Sequence, residues 1–219
     1  MNEFPQTVYL IDDDEDLRRS LVRLLECSGF ICSAHASAEE FVSLADALGP
    51  GCLLLDLRMP GMDGLELQAS LAQKDIDLPV IFLTGNGDVP SSVQAMKGGA
   101  VDFLTKPVRP AVLIAAITAA LARQKESRAR RLEIRATRLL LERLTPREKE
   151  VLVLVVQGLL NKQIAAELGA AEKTIKIHRA HVMDKMEVSS LAALVSKVER
   201  AGGVDELRKL RSPGAGSPG

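Results

Sequence analysis

Over residues 1–121, five short apolar runs alternate with helix-length amphipathic stretches, and this alternation constrains the fold more than any other feature of the chain. Thr7 to Ile11, Phe30 to Ala34, Cys52 to Asp56, Pro79 to Thr84 and Val101 to Leu104 read as strands. Between them, Asp16 to Ser28, Ala38 to Leu48, Leu65 to Lys74 and Ser91 to Gly98 read as helices. Strands that alternate with helices form a parallel sheet covered on both faces. Right-handed crossovers then predict an α/β, doubly wound, flavodoxin-like domain of five parallel strands in the order 2-1-3-4-5.

The third run, Cys52-Leu53-Leu54-Leu55, has no polar residue before Asp56, and a Pro/Gly loop follows through Gly64. A strand buried on both faces therefore delivers one carboxylate to its carboxyl end, where open parallel sheets bind their ligands. Taken alone, Asp56 reads equally well as a turn residue. The first run supplies the context, because it ends in Asp12-Asp13-Asp14 and strands 1 and 3 are neighbours in the expected order. Two like charges about 4 Å apart at an effective dielectric near 20 repel by roughly 4 kcal/mol, so the cluster must protonate or recruit a cation. Few carboxylates and no nearby His or Cys suit Mg²⁺ better than Ca²⁺ or zinc. Asp14 is read instead as the start of the first helix, where a carboxylate favours the positive end of the dipole. Thr84 at the end of strand 4 and Lys106 after strand 5 bring a hydroxyl and an ammonium to the same rim, which suits a phosphoryl group on Asp56.

Ile11-Asp12-Asp13, Asp56 with Met59-Pro60-Gly61, Thr84-Gly85 and Phe103-Leu104-Thr105-Lys106-Pro107 together resemble a two-component response-regulator receiver across residues 5–121. The resemblance implies that Asp56 accepts phosphate from the phosphohistidine of a sensor histidine kinase. It implies that Asp12, Asp13, the Asp56 carboxylate and the Arg58 backbone carbonyl hold Mg²⁺. Thr84 and Lys106 would bind the phosphoryl oxygens, Phe103 would change rotamer with Thr84, and Lys106-Pro107 would be a cis peptide. A phosphatase that forms an aspartyl-phosphate is disfavoured, because such enzymes place a second Asp two residues after the nucleophile and this chain has Arg58 there. The chain is therefore read as a regulator and not an enzyme.

Charge separates the two halves. Residues 1–121 carry 8 Lys/Arg against 17 Asp/Glu, a net of −9, and residues 122–219 carry 20 against 12, a net of +8. A basic half suits a phosphate backbone or an acidic membrane surface, nucleic acid being the commoner case for a soluble chain, and this weakens the reading of an output made by protein contacts alone. Helical composition continues from Pro110 to about Leu141, but its apolar face stops near Leu121. A charged helical linker at 122–143 is expected, with Arg123 to Arg138 read as a solvated face.

Thr145-Pro146-Arg147-Glu148 carries an N-cap, a first-turn proline and a capping-box glutamate. That helix is expected to run to about Gln157, followed by short helices at Asn161 to Leu168, Glu172 to Met186 and from Ser190. Two helices joined by a tight Gly turn, the second rich in Lys, Arg and His, read as a helix-turn-helix. Lys173, Thr174, Lys176, Ile177, Arg179, Ala180, His181 and Lys185 are assigned to the face opposite the core residues Ile175, Val182 and Met186. Basic groups there neutralise phosphates or read guanine, and an exposed Ile177 touches a thymine methyl. His178 and His181 are not read as a metal pair, because no third ligand lies near them in the sequence.

Gly158 to Ala165 followed by Lys173 to Arg179 resembles a LuxR-type DNA-binding domain, so the whole chain to about Gly202 resembles the NarL/FixJ regulators. That resemblance implies an all-α four-helix domain at 144–202 whose third helix enters the major groove of double-stranded promoter DNA. Lys176, Ile177 and Ala180 would face bases, with Lys173, Thr174 and Arg179 near phosphates. Phosphorylation is expected to expose a dimerising face around the fourth and fifth units and so give a homodimer, and RNA polymerase is an expected partner. Ala171 departs from the Ser often found as N-cap of the recognition helix, and Ala180 has no side-chain group to hydrogen-bond a base. Cys27, Cys32 and Cys52 read as reduced packing residues. With no leader or apolar span in view, a cytoplasmic location without membrane contact is expected. The tail at 203–219 is expected to become disordered, chiefly from Ser212 to Gly219.

Overall fold

The computed structural model describes residues 7–44, 47–85 and 89–203. The chain divides into two compact units between Arg128 and Ala129. In the first, strands β1 (Thr7–Ile11), β2 (Ile31–His35), β3 (Gly51–Asp56), β4 (Val80–Thr84) and β5 (Asp102–Thr105) form one parallel sheet in the order β2-β1-β3-β4-β5. The doubly wound topology expected from the alternation is the one observed.

All six residues of β3 are buried, as a central strand between two helical layers requires. Alternate side chains feed two cores. Val8, Leu10, Cys52, Leu54, Ile81 and Leu83 pack with Leu21 and Leu25 of α1 (Glu15–Cys27) and with Leu113 and Ile117 of α5 (Pro110–Glu142). Tyr9, Ile11, Leu53, Leu55 and Phe82 pack on the opposite face with Phe41 of α2 (Ala38–Ser43), Leu67 of α3 (Gly64–Gln73) and Ala95 of α4 (Val89–Lys97). Burial also pushes the Cys52 thiol up to about 12, with a smaller contribution from Cys32, in keeping with an inert packing residue.

Two element boundaries differ from the sequence expectation. The second strand starts at Ile31, because the Phe30 amide instead donates to the Leu25 carbonyl and closes α1, with Gly29 in the left-handed region at φ 86°. Helix α2 ends at Ser43 rather than Leu48, with Leu44 as its cap and its amide turned back on Phe41 and Val42. Asp14 caps α1 as expected, accepting from the amides of Asp16 and Leu17.

Helix α5 is continuous over 33 residues, extending well past Leu121, the last of its apolar positions in the core of the first unit. In the second unit, α6 (Pro146–Val156), α7 (Asn161–Glu167), α8 (Glu172–Lys185) and α9 (Leu191–Arg200) close around Val151, Leu152, Ile164, Ile175, Val182, Met186, Leu194 and Val198. Leu140, Leu141 and Leu144 join the same core. Thr145 and Glu148 form a reciprocal capping box at α6, and Ser190 caps α9. At α8 the cap position is Ala171, which makes no side-chain hydrogen bond. We predict that Ala171→Ser supplies the missing acceptor and stabilises this unit by about 1 kcal/mol, measured as a rise in its urea midpoint at unchanged slope.

Among the described residues no helix is long and apolar enough to cross a membrane. The expected disorder from Ser212 to Gly219 lies outside the described residues, as do residues 45 and 46 of the expected second helix.

Candidate functional site

The carboxyl ends of β1, β3, β4 and β5 converge at the switch point of the sheet. Asp12 directly follows β1, Asp56 is the last residue of β3, Thr84 is the last of β4, and Lys106 directly follows β5. One oxygen from each of Asp12, Asp13 and Asp56 lies within 4.8 Å of the other two, with Asp12 and Asp56 buried and Asp13 exposed. The Lys106 ammonium bridges two of them, 2.7 Å from Asp12 Oδ2 and 3.0 Å from Asp56 Oδ2.

These charges set one another. Burial raises the Asp56 pKa above the usual carboxylate range, and the Asp12 charge adds to that. The hydrogen bond and charge of Lys106, with the Arg58 amide donating to the same carboxylate, partly oppose the rise. Burial pulls the Lys106 ammonium down, but its hydrogen bonds to Asp12 and Asp56 outweigh this and hold it above its ordinary value. The lysine is therefore a fixed positive charge at the rim of the carboxylates. Asp12 is oriented further by the Asp14 amide, which donates to its Oδ1 at 3.0 Å. Arg18, which the sequence reading passed over, donates to the Asp12 carbonyl at 2.6 Å.

The loop after β3 is held at both ends. Its Leu57 amide donates to Leu83, the Gly64 amide returns to the Leu57 carbonyl, and Asp63 and Glu66 form a capping box for α3. Arg58 sits exposed within this loop. Across the site Thr84 is buried at 2% exposure, and its carbonyl accepts from the Lys106 amide at 2.7 Å. Phe103 is half-buried against Phe82, with ring centroids 6.2 Å apart. The Lys106-Pro107 peptide is cis. The donor set of three carboxylates fits a small, hard divalent cation such as Mg²⁺, which prefers oxygen ligands and keeps water.

In the second unit, the outward face of α8 exposes Lys173, Thr174, Lys176, Ile177, Ala180 and His181. Ile177 is 48% exposed, unusual for an isoleucine on a short helix of a packed domain. Lys176 pairs with Glu172 at 3.1 Å, but both are well exposed, so the pair is weak and leaves the ammonium able to exchange partners. Two assignments shift. Arg179 is half-buried and donates to Asn161 Oδ1 of α7 at 2.9 Å, so it braces the two helices. Lys185 does not belong to the free outward face: its ammonium lies 2.7 Å from Glu148 Oε2 of α6. Asp184 is also exposed, eleven residues after Lys173, and this helical spacing was the available signal for an acidic group at the far end of that face.

A switch-point carboxylate cluster closed by a lysine, followed along the chain by a helix-turn-helix, defines a receiver joined to a DNA-binding module. Residues 8–118 match the family model of the response regulator receiver domain, and residues 142–198 match that of bacterial regulatory proteins of the luxR family. The chain belongs to the NarL/FixJ family of response regulators and is a transcriptional regulator. It is 46% identical over 195 residues to nodulation protein W of Bradyrhizobium diazoefficiens, covering 89% of this chain and 86% of that protein. It is 44% identical over 197 residues to the transcriptional regulatory protein FixJ of Rhizobium meliloti, covering 90% and 96%. Among solved structures, the response regulator StyR superposes with a TM-score of 0.80 at 43% identity, covering 90% of this chain and 100% of that one.

Proposed function

We propose that Asp56 is the phosphoacceptor through which a sensor histidine kinase controls promoter binding. The observation that carries this reading is the Lys106 ammonium held between Asp12 and Asp56. An Asp56 carboxylate oxygen forms the new O–P bond while the P–N bond to the kinase imidazole breaks and that nitrogen takes up a proton. Asp12, Asp13, Asp56 and the Arg58 carbonyl would hold Mg²⁺, which supplies charge neutralisation for the transferring phosphoryl group. Lys106 and the Thr84 hydroxyl take the phosphoryl oxygens, and Phe103 changes rotamer with Thr84. Phosphorylation adds up to about two negative charges at the end of β3, enough to bias two packings of this corner.

The division of labour is a receiver at 1–121, a helical linker at 122–143, a DNA-binding domain at 144–202 and a tail at 203–219. Phosphorylation favours a homodimer that presents two α8 helices to paired half-sites of double-stranded promoter DNA, about one helical turn apart or a multiple of it. Lys176, Ile177 and Ala180 face bases, Lys173 and Thr174 lie near phosphates, Arg179 reaches a phosphate from its brace on Asn161, and His181 flanks the groove. The bound dimer then contacts RNA polymerase. The protein acts in the cytoplasm and turns over no substrate of its own.

The test is selection of DNA from a random pool by the phosphorylated protein, then titration of the selected site at several salt concentrations. Lys173→Ala and Lys176→Ala are each expected to weaken binding, and Lys173→Ala to reduce the slope of log K against log salt by about 1. Absence of any selected site, or binding without salt dependence, would overturn the DNA reading.

A further inference from the structure

The second unit brings together a second cluster of potential metal ligands, apart from the receiver carboxylates. Glu148 near the start of α6 lies against His178 and His181, which are three residues apart on α8. One carboxylate oxygen and one ring nitrogen from each histidine all lie within 4.8 Å of one another. The sequence set the two histidines aside for want of a third ligand; the fold supplies it from thirty residues upstream, because α6 packs across α8.

The two oxygens of Glu148 have different surroundings. Oε2 accepts from the Thr145 amide at 2.8 Å and from Lys185 Nζ at 2.7 Å. Oε1 faces His181 Nδ1 at 3.6 Å, longer than a hydrogen bond. Glu148 is 3% exposed, so its carboxylate is almost wholly removed from water. His178 adds an independent sign: its Nδ1 is buried without any hydrogen-bond partner. A buried ring nitrogen in that state ordinarily finds a donor, an acceptor or an ion.

We propose that Glu148, His178 and His181 form a binding site for a first-row divalent cation of the Zn²⁺ type. Two imidazoles and one carboxylate are a ligand set that tetrahedral Zn²⁺ accepts, with water at the fourth position. Zinc ligands at about 2.0–2.2 Å from the metal lie roughly 3.5 Å from one another, so a side-chain contraction of about 1 Å closes the cluster. Burial opposes the Glu148 charge, but Lys185 and the Thr145 cap outweigh it and hold the carboxyl below its usual range, ready to ligate. Lys185 is the competing cation. Its side chain is one-third exposed and it rests on the oxygen that the ion does not need, so it swings toward solvent when the site fills. A bound ion ties the recognition helix to α6 and draws His181 off the outward face, which couples metal supply to DNA reading.

The experiment is a calorimetric titration of Zn²⁺ into the full chain in excess Mg²⁺, which occupies the receiver carboxylates. One equivalent is expected to bind, and His181→Ala and Glu148→Gln are each expected to weaken it at least about tenfold. His181 is exposed, so His181→Ala is expected to keep the metal-free melting curve and to separate ligation from folding. Co²⁺ in place of Zn²⁺ is expected to give the intense visible absorption of a four-coordinate site, absent from His181→Ala. No binding, binding unchanged in His181→Ala, binding lost instead in Cys27→Ser, or a weak octahedral Co²⁺ spectrum would each overturn the proposal.

Discussion

Asp56→Asn is expected to abolish phosphoryl transfer to this chain from its kinase or from a small-molecule phosphodonor. The loss is on the order of 10⁴-fold or more, the scale set by removing a nucleophile, and intact-mass measurement after incubation with Mg²⁺ reads it directly. Phosphorylation-dependent dimerisation and promoter binding should vanish with it. The fold should persist. Asn has nearly the same shape as Asp, and Lys106 keeps its 2.7 Å partner Asp12. Burial and the Asp12 charge already disfavour the Asp56 carboxylate, so replacing it by a neutral amide leaves the metal-free receiver at least as stable in thermal melting. A variant that still gained one phosphoryl mass, and still dimerised and bound DNA in response to the kinase, would remove Asp56 from the mechanism.

Gly64→Ala carries the second large effect, and it reaches the site without touching a charge. A Cβ built on Gly64 would stand 2.5 Å from the Asp56 carbonyl oxygen, 2.9 Å from Phe82 Cε1 and 3.2 Å from Leu57 Cα. Two of these neighbours are backbone, and the phenyl ring is fully buried, so none has room to yield. Overpacking of this kind costs about 1–3 kcal/mol, and a receiver of this size should lose on the order of 5–10 °C in melting temperature. Because the displaced backbone carries Asp56 and leads to Arg58, the initial phosphorylation rate should fall more than the loss of folded protein accounts for. Unchanged phosphorylation in the folded fraction would show that the loop after β3 has slack which its hydrogen bonds to Leu83 and Leu57 do not suggest.

Much of the receiver site was legible in the sequence, and for a specific reason. Asp12, Asp56, Thr84 and Lys106 each lie at the end of a strand that the apolar pattern marks, and parallel strands in the order 2-1-3-4-5 bring those ends together. Periodicity also placed Ile175, Val182 and Met186 in the core and left Ile177 outside. Boundaries were less legible. Whether Phe30 pairs in the sheet or closes α1 depends on where its single amide proton goes, and local composition does not specify that.

Side-chain partners across helices were not legible at all. Glu148 read as a capping residue and is one; the same carboxylate also meets Lys185, and it lies 3.6 Å from His181. Arg179, which the resemblance places near a phosphate, also donates to Asn161 of α7, a partner that local sequence does not show. By itself the sequence determined the two modules, the strand-end placement of Asp56 and the amphipathic face of the recognition helix, because these follow from local periodicity and chain direction. Only the tertiary structure decided which charged groups on that helix stay available. Those partners lie 18 to 37 residues away along the chain and become neighbours only when α6, α7 and α8 pack.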